Sequence, residues 1–449
     1  MAKKQSVSFV CTNCGAQAAS WAGRCHQCGA WNTLEEQLIL DTQTIATGGT
    51  KLSSASVSDV VKHDSAKRLK TGIEDVDSVL GGGFVAGSVT LIAGQPGIGK
   101  STLLLQLATA LAGSHRVLYV SGEESAHQVA LRAERLGLGK APVQLAMSQS
   151  ADDIAATIAK EGYEFVVVDS IQTLSVQGIA SGAGTVSQIT NSAHILIAAA
   201  KQSNAALVLV GHVTKEGSIA GPKVLEHVVD VVLQLEGDRY GGFKLLRGIK
   251  NRYGSTNETG IFEMKDNGLI PVANPSAALL EERQVTDGSV VLATMEGTRS
   301  LLVEVQALVN KTSYGYPKRA ASGIDLNRVN LLVAMLERRT KLNLSEYDIY
   351  INVVGGIKIT EPAADLAVIM AIASAAKGLQ LKKNAVVFGE VGLSGEVRHV
   401  PFAEKRLSEA KKLGFTGAIG PVMKHGKVPT GLFGVSDVRT ALNQFLEKD

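Results

Sequence analysis

Beyond Cys28 the chain has no cysteine: all four of its thiols lie between Cys11 and Cys28, and the rest of its 449 residues has none. That distribution excludes a secreted disulfide framework and points to a local metal site. Aromatic residues make up only 4%, against 45% hydrophobic residues and 47 glycines. This composition fits an alanine- and valine-rich α/β fold, not a disordered chain or an aromatic-stacking module. Charge of one sign is also missing, with 45 Lys and Arg against 42 Asp and Glu. Any nucleic-acid affinity must therefore come from local basic patches. No apolar run approaches the roughly 18 residues of a membrane span, and residues 1–10 lack the apolar core of a secretory signal. The reading is a cytoplasmic protein with no membrane partner, long enough for two or three domains.

What is present begins with two knuckles, Cys11-x-x-Cys14 and Cys25-x-x-Cys28, backed by Gly15 and Gly29. Tight turns behind each pair aim four thiolates at one ion, the donor set of a tetrahedral Zn2+ site. Residues 1–33 are too few to bury a useful core, so metal binding must supply most of the folding energy. A redox dithiol would need a thioredoxin-like βαβ setting, which is absent. His26 reads as a solvent-facing neighbour of a complete ligand set, and Trp21 and Trp31 are expected to pack the module. Residues 34–60, rich in Ser, Thr and Gly, read as a flexible linker.

From 61 to 272 the pattern alternates buried strands and helices. A strand over 89–93 runs into Gly94-Gln95-Pro96-Gly97-Ile98-Gly99-Lys100-Ser101-Thr102 and an apolar helix. In that context the loop is a complete phosphate cradle: backbone N–H groups close on the phosphates, Lys100 reaches the β and γ groups, and Ser101 ligates Mg2+. A second strand ends at Asp169, placed as the magnesium-side carboxylate. A third carries Ser121-Gly122-Glu123-Glu124 at its C-terminal end, where parallel sheets bind ligands. One of the two glutamates should polarise the attacking water, and the other caps the next helix. A fourth strand ends at His212, either a γ-phosphate sensor or an ordinary hydrogen-bonded histidine.

These motifs, with Thr71-Gly72-Ile73, Leu80-Gly81-Gly82-Gly83-Phe84 and Lys250-Asn251-Arg252-Tyr253-Gly254, resemble the bacterial RadA (Sms) family of RecA-related ATPases over nearly the whole chain. Tyr253 stands where that family more usually has Phe. The resemblance implies ATP hydrolysis in a homo-hexameric ring acting on single-stranded and branched DNA, a nucleoid-associated role in recombinational repair. It selects Glu123 as general base and implies that Lys250 and Arg252 complete a neighbour's ATP site. It further implies that the stretch with Lys215 and Lys223 faces DNA, although two lysines also suit a plain surface loop.

Residues 273–449 resemble the proteolytic domain of Lon through Gly323-Ile324-Asp325, Glu361-Pro362-Ala363-Ala364-Asp365 and the run from Gly389 to Val397. Alignment puts Ala363 at the serine nucleophile's position and Glu404 at the lysine base's position, and neither side chain can do that chemistry. The domain therefore reads as an inactive scaffold, with Lys318 and Arg319 beside Tyr314 and Tyr316 offering either nucleic-acid contacts or a solvated basic loop. The fold class is α/β: a RecA-like P-loop ATPase core, a small N-terminal four-cysteine zinc finger and a C-terminal Lon-protease-like domain. The leading function is a DNA-dependent ATPase motor whose zinc finger recruits a recombinase or other repair protein. An ATP-gated regulatory scaffold and an ATP-dependent protease are the competing readings.

Overall fold

The computed structural model describes residues 7–11, 14, 16–18, 20–38, 56, 68–213, 219–220, 224–237, 242–313, 315–381, 384–423 and 428–447. They belong to two units, Met1–Ser65 and Ala66–Asp449.

In the first unit, β1 (Val7–Cys11) is flanked by β2 (Gln17–Ala18) and β3 (Leu34–Leu38), both antiparallel to it. The five-residue register of β1 on β3 pairs Cys11 with Leu34, so residues read from composition as linker complete the module's sheet. The interior is used up by Cys11, Cys25 and Leu34, with Phe9, Ala16, Ala18 and Ala22 against them. No room is left for two indoles. Contrary to expectation, Trp21 is 57% and Trp31 71% exposed.

In the second unit a short strand pair and the helix Glu74–Leu80 precede a sheet whose central strand, β4 (Val89–Gly94), is buried at every position. A run of that kind, without polar alternation, is what a strand covered on both faces requires. It is followed by α1 (Lys100–Ala112), β5 (Val117–Ser121), α2 (Ala126–Arg135), β6 (Gln144–Met147), α3 (Ala151–Glu161), β7 (Phe165–Asp169), α4 (Val186–Ser203) and β8 (Ala206–Val213). A short helix α5 (Val224–Val228) leads to β9 (Val231–Gly237), β10 (Phe243–Asn251), β11 (Thr259–Lys265) and β12 (Gly268–Pro271). The order across the sheet is β12-β11-β10-β9-β4-β8-β7-β5-β6. From β9 to β6 every pairing is parallel, and β10 to β12 add on antiparallel. The helices bury apolar stripes on the two faces, in clusters centred on Leu103, Leu104 and Leu107 and on Leu196, Ile154 and Ile158.

A second sheet has the order β15-β16-β14-β13-β17-β18-β19. Its strands are β13 (Ser289–Glu296), β14 (Arg299–Lys311), β15 (Arg319–Ser322), β16 (Tyr347–Val353), β17 (Ala385–Val387), β18 (Gly417–Pro421) and β19 (Leu432–Val435). Helix α6 spans Leu326–Thr340, α7 spans Asp365–Lys377 and α8 spans Ala403–Lys412. Helix α7 is apolar almost all round and is buried from Asp365 to Ser374, the pattern of a core helix. Leu245 and Ile261 of the first sheet sit in the same apolar cluster as the strands of the second. Arg247 on β10 joins the two sheets electrostatically, donating to Glu236 at 2.8 Å and to Glu296 at 2.6 Å.

Candidate functional site

Strand register assembles the site before any side chain is considered. Gly94 at the end of β4 pairs with His212 on β8, and Ser121 on β5 pairs with Asp169 on β7. The chain reverses its strand order at β4, whose neighbours β8 and β9 both come later in sequence. The loop leaving its carboxyl end therefore opens at a topological switch point, the usual ligand crevice of such sheets.

In that loop Gly97 and Gly99 have φ values of +79° and +115°, conformations that favour glycine and turn backbone amides toward the loop's interior. Lys100 is buried, and its ammonium donates to the carbonyls of Gly94 at 2.8 Å and Gln95 at 3.1 Å. Burial pulls its pKa below the ordinary lysine value, while the carboxylates of Asp169 and Glu123 pull the other way. The cation is thus pre-placed among the groups expected to handle phosphate and metal. Ser101 follows it on the first turn of α1.

Asp169 accepts a hydrogen bond from the hydroxyl of Tyr119 at 2.7 Å, in a buried setting. That setting raises the tyrosine pKa well above its usual value, chiefly through burial and then through the Asp169 charge. The phenol stays a donor and fixes one carboxylate oxygen. Glu123 is exposed, and one of its oxygens accepts from Ser170 Oγ at 2.5 Å. Glu124 does not cap the next helix. It pairs with Arg132 on α2, while Ser125 provides the cap, in a capping box with Gln128. Tyr119 and Ser170 escaped the sequence reading, although Ser170 adjoins the strand-ending acid and could have been suspected on that ground.

Lys250 and Arg252 lie elsewhere. Lys250 pairs in register with Val232, and Arg252 donates at 3.0 Å to Asp230, which also accepts from the N–H of Val89 at 3.0 Å. Val89 begins β4 and Gly94 ends it. Five steps at about 3.3 Å put the two cations at the opposite edge of the sheet from their own phosphate loop, about 16 Å away along the strand. Within this chain Lys250 Nζ donates to the carbonyls of Glu226 and Val229, each at 2.7 Å, and His227 at 3.3 Å, closing the C-terminal end of α5. Burial and the neighbouring Arg252 charge lower its pKa.

His212 is placed by register alone; Lys215 and Lys223 lie outside the described residues. Lys318 is exposed with its backbone N–H bonded to Asp348 at 2.7 Å, and Arg319 reaches Asn330 at 3.4 Å. Tyr316 projects into solvent at 87% exposure.

The thiols of Cys11, Cys14, Cys25 and Cys28 lie within 4.8 Å of one another, with Cys11–Cys28 and Cys14–Cys25 each at 3.7 Å. Tetrahedral zinc with bonds of about 2.3 Å sets its thiolates about 3.8 Å apart, so the four fit that ion. His26 is exposed and outside the group.

Ala363 is buried on the short 3-10 turn Pro362–Ala364 that leads into α7, and Glu404 is exposed on α8. The space between β13 and α8 is filled by Arg406, which is fully buried. It forms an ion pair with Glu361, donates to the carbonyls of Ala293 at 2.6 Å and Pro401 at 3.2 Å, and stacks 5.5 Å from the Phe388 ring centroid. Glu361 in turn accepts from Thr294 Oγ1 and the N–H of Met295, both at 2.9 Å. Removing one member strands a buried charge, so Arg406→Met should cost about 3 kcal/mol in urea unfolding. A loss within 0.5 kcal/mol, the ordinary range for a surface substitution, would show that the network is not holding α8 to the sheet.

Comparison with known proteins places these parts. Residues 9–36 match the rubredoxin metal binding domain, residues 55–218 the AAA domain, and residues 326–424 the subunit ChlI of Mg-chelatase. The DNA repair protein RadA of Bacillus subtilis is 46% identical over 99% of this chain and 100% of its own length. The Pseudomonas aeruginosa protein of the same name is 46% identical over 100% of both chains. That of Brucella abortus is 47% identical over 93% of this chain and 92% of its own. The ATPase domain takes ATP with Mg2+, and the four-cysteine ribbon takes Zn2+.

Proposed function

Since the chain belongs to the RadA family of DNA repair proteins, which it matches from end to end, we propose that it is a DNA-dependent ATPase working as a homo-hexameric ring. In this reading it moves strands of single-stranded and branched DNA at recombination intermediates, as a translocase in branch migration and strand exchange, close to the nucleoid. The separation of Lys100 from Lys250 and Arg252 carries the proposal. A phosphate loop at one edge of the sheet and a cationic pair at the other suit a ring in which each subunit's pair meets its neighbour's nucleotide.

Within each site the backbone N–H groups of the loop from Gly94 to Gly99, Pro96 having none, hold the phosphates and Lys100 moves from its carbonyl partners to the β and γ oxygens. Ser101 and Asp169 hold magnesium, which when bound neutralises charge developing on the transferring phosphoryl group. Thr102 lies beside them at the helix start. Glu123, oriented by Ser170, takes the proton of the attacking water, and Lys250 and Arg252 of the adjacent subunit stabilise the transition-state charge. His212, at the end of β8, reports the γ phosphate to the segment containing Lys215 and Lys223, which contacts DNA with Lys318 and Arg319. The Lon-like domain is a scaffold for the ring, and the zinc finger recruits a recombinase or another repair protein.

Steady-state ATP hydrolysis with and without single-stranded DNA, at one stated salt concentration, tests the motor. DNA should raise the rate severalfold. Glu123→Gln should lower kcat by about 10²- to 10³-fold with MgATP binding retained. Hydrolysis indifferent to DNA would sink the motor and leave an ATP-gated regulatory scaffold in its place.

A further inference from the structure

The zinc module buries two of its four cysteines, Cys11 and Cys25, and exposes both of its tryptophans. Trp21 and Trp31 are the only tryptophans in the chain and the only large apolar side chains of their unit exposed among the described residues. Both indoles converge on Gly23, where an added β-carbon would sit 3.8 Å from the Trp31 ring and 3.9 Å from that of Trp21. Arg24 lies 5.8 Å from the Trp31 ring centroid and is steadied by a 2.9 Å bond from its Nε to the Gly29 carbonyl. Of their chain neighbours Ser20 and Asn32 are polar and exposed, like Arg24 nearby, while Ala22 and Ala30 are half-buried.

We propose that Trp21 and Trp31 form a stacking platform for unpaired bases of single-stranded DNA, with Arg24 as its phosphate contact. Aromatic faces receive any base, and an arginine at the ring edge meets the backbone beside it. The surroundings favour nucleic acid over a protein partner. The core of a protein interface is a contiguous apolar patch, whereas these two rings stand in polar company. Through the end of β3 at Leu38 the module's charged side chains are Lys3, Lys4 and Arg24 against Glu35 and Glu36. A zinc tetrathiolate is itself anionic, so stacking rather than overall charge must dominate the contact. The inference rests on the DNA-binding part of the proposed function, though not on its motor.

With no tryptophan elsewhere, fluorescence of the full-length protein excited at the red edge of tryptophan absorption, where its eight tyrosines do not absorb, reports on this platform alone. Titration with a thirty-nucleotide oligo(dT) should quench roughly half or more of that emission, in step with the anisotropy rise of a labelled copy of the oligonucleotide. Trp21→Ala and Trp31→Ala should each weaken binding about tenfold. Zinc released to a colorimetric chelator should remain one equivalent per chain in both variants. Trp21→Phe and Trp31→Phe, which keep an aromatic face, should retain affinity within about threefold, and that result decides the matter if the alanine variants lose zinc. An anisotropy rise without quenching would overturn the platform and leave the DNA-binding motor standing. No rise in either signal would overturn both. Quenching by a recombinase but not by DNA would assign the surface to a protein partner and overturn the proposal as well.

Discussion

Lys100→Met should abolish ATP hydrolysis, by about 10³-fold or more, while leaving the folded chain at least as stable as the parent when no nucleotide is present. The first part follows from the ammonium's place beside the transferring phosphoryl group, where a lost cation removes stabilisation of charge that develops only in the transition state. The second part follows from its burial. The native chain holds the Lys100 proton less tightly than the unfolded chain does, because burial lowers its pKa despite Asp169 and Glu123. A lysine with a depressed native pKa costs stability at every pH below that pKa, and the cost fades as pH rises through it toward the unfolded value. The parent should therefore gain on Lys100→Met as alkaline pH is approached. Methionine keeps most of the volume and leaves the Gln95 carbonyl to water, while the buried Gly94 carbonyl loses this donor. Saturating MgATP should reverse the ranking, adding about 2.7 kcal/mol to the parent at a hundred times Kd and nothing to the variant. Thermal unfolding with and without MgATP, at neutral and alkaline pH, measures all of this. A variant that melts well below the nucleotide-free parent at neutral pH would show that Lys100 holds the loop together, not that the loop holds Lys100 in readiness.

The phosphate loop was legible because its chemistry is local: glycines, a lysine and a serine at fixed spacing after a buried strand need no tertiary information to be read. The same holds for the four thiols, whose two short spacings already specify one ion. Asp169 and the glutamates after β5 were legible one step further out, since parallel strands deliver their carboxyl ends to one edge. Nothing local marked Tyr119, whose hydroxyl matters only because β5 and β7 are neighbours in the sheet. Asp230 was equally silent, an acid whose partners Val89 and Arg252 are far from it in sequence. Trp21 and Trp31 were misread for a different reason. Tryptophan's bulk argues for burial, but a unit organised by four cysteines and three short strands has no interior large enough to take it. Arg406 shows the converse: a charged residue on a polar-looking helix, fully buried because Glu361 and two carbonyls await it.

Two inactive proteins should make an active one. If Lys250 and Arg252 serve the neighbour's nucleotide, a chain carrying Lys250→Ala and Arg252→Ala keeps an intact phosphate loop with nothing across from it, and should lose about 10³-fold in hydrolysis. A Lys100→Met chain has the reverse defect. Dissociated, mixed in equal amounts and reassembled, the two should form rings in which about a quarter of the junctions pair an intact loop with an intact cation pair, and activity should return to that order. The geometry requires this form of test, because loss of activity alone is ambiguous. Lys250 closes α5 with three hydrogen bonds, and Arg252 neutralises a carboxylate that is only 4% exposed. Removing them therefore damages the chain that carries the change whatever else they do. Such damage stays with its own subunit and cannot be repaired by a partner. Rescue in the mixture separates service to a neighbour from support at home, and a mixture as dead as its components would return both cations to a purely structural role.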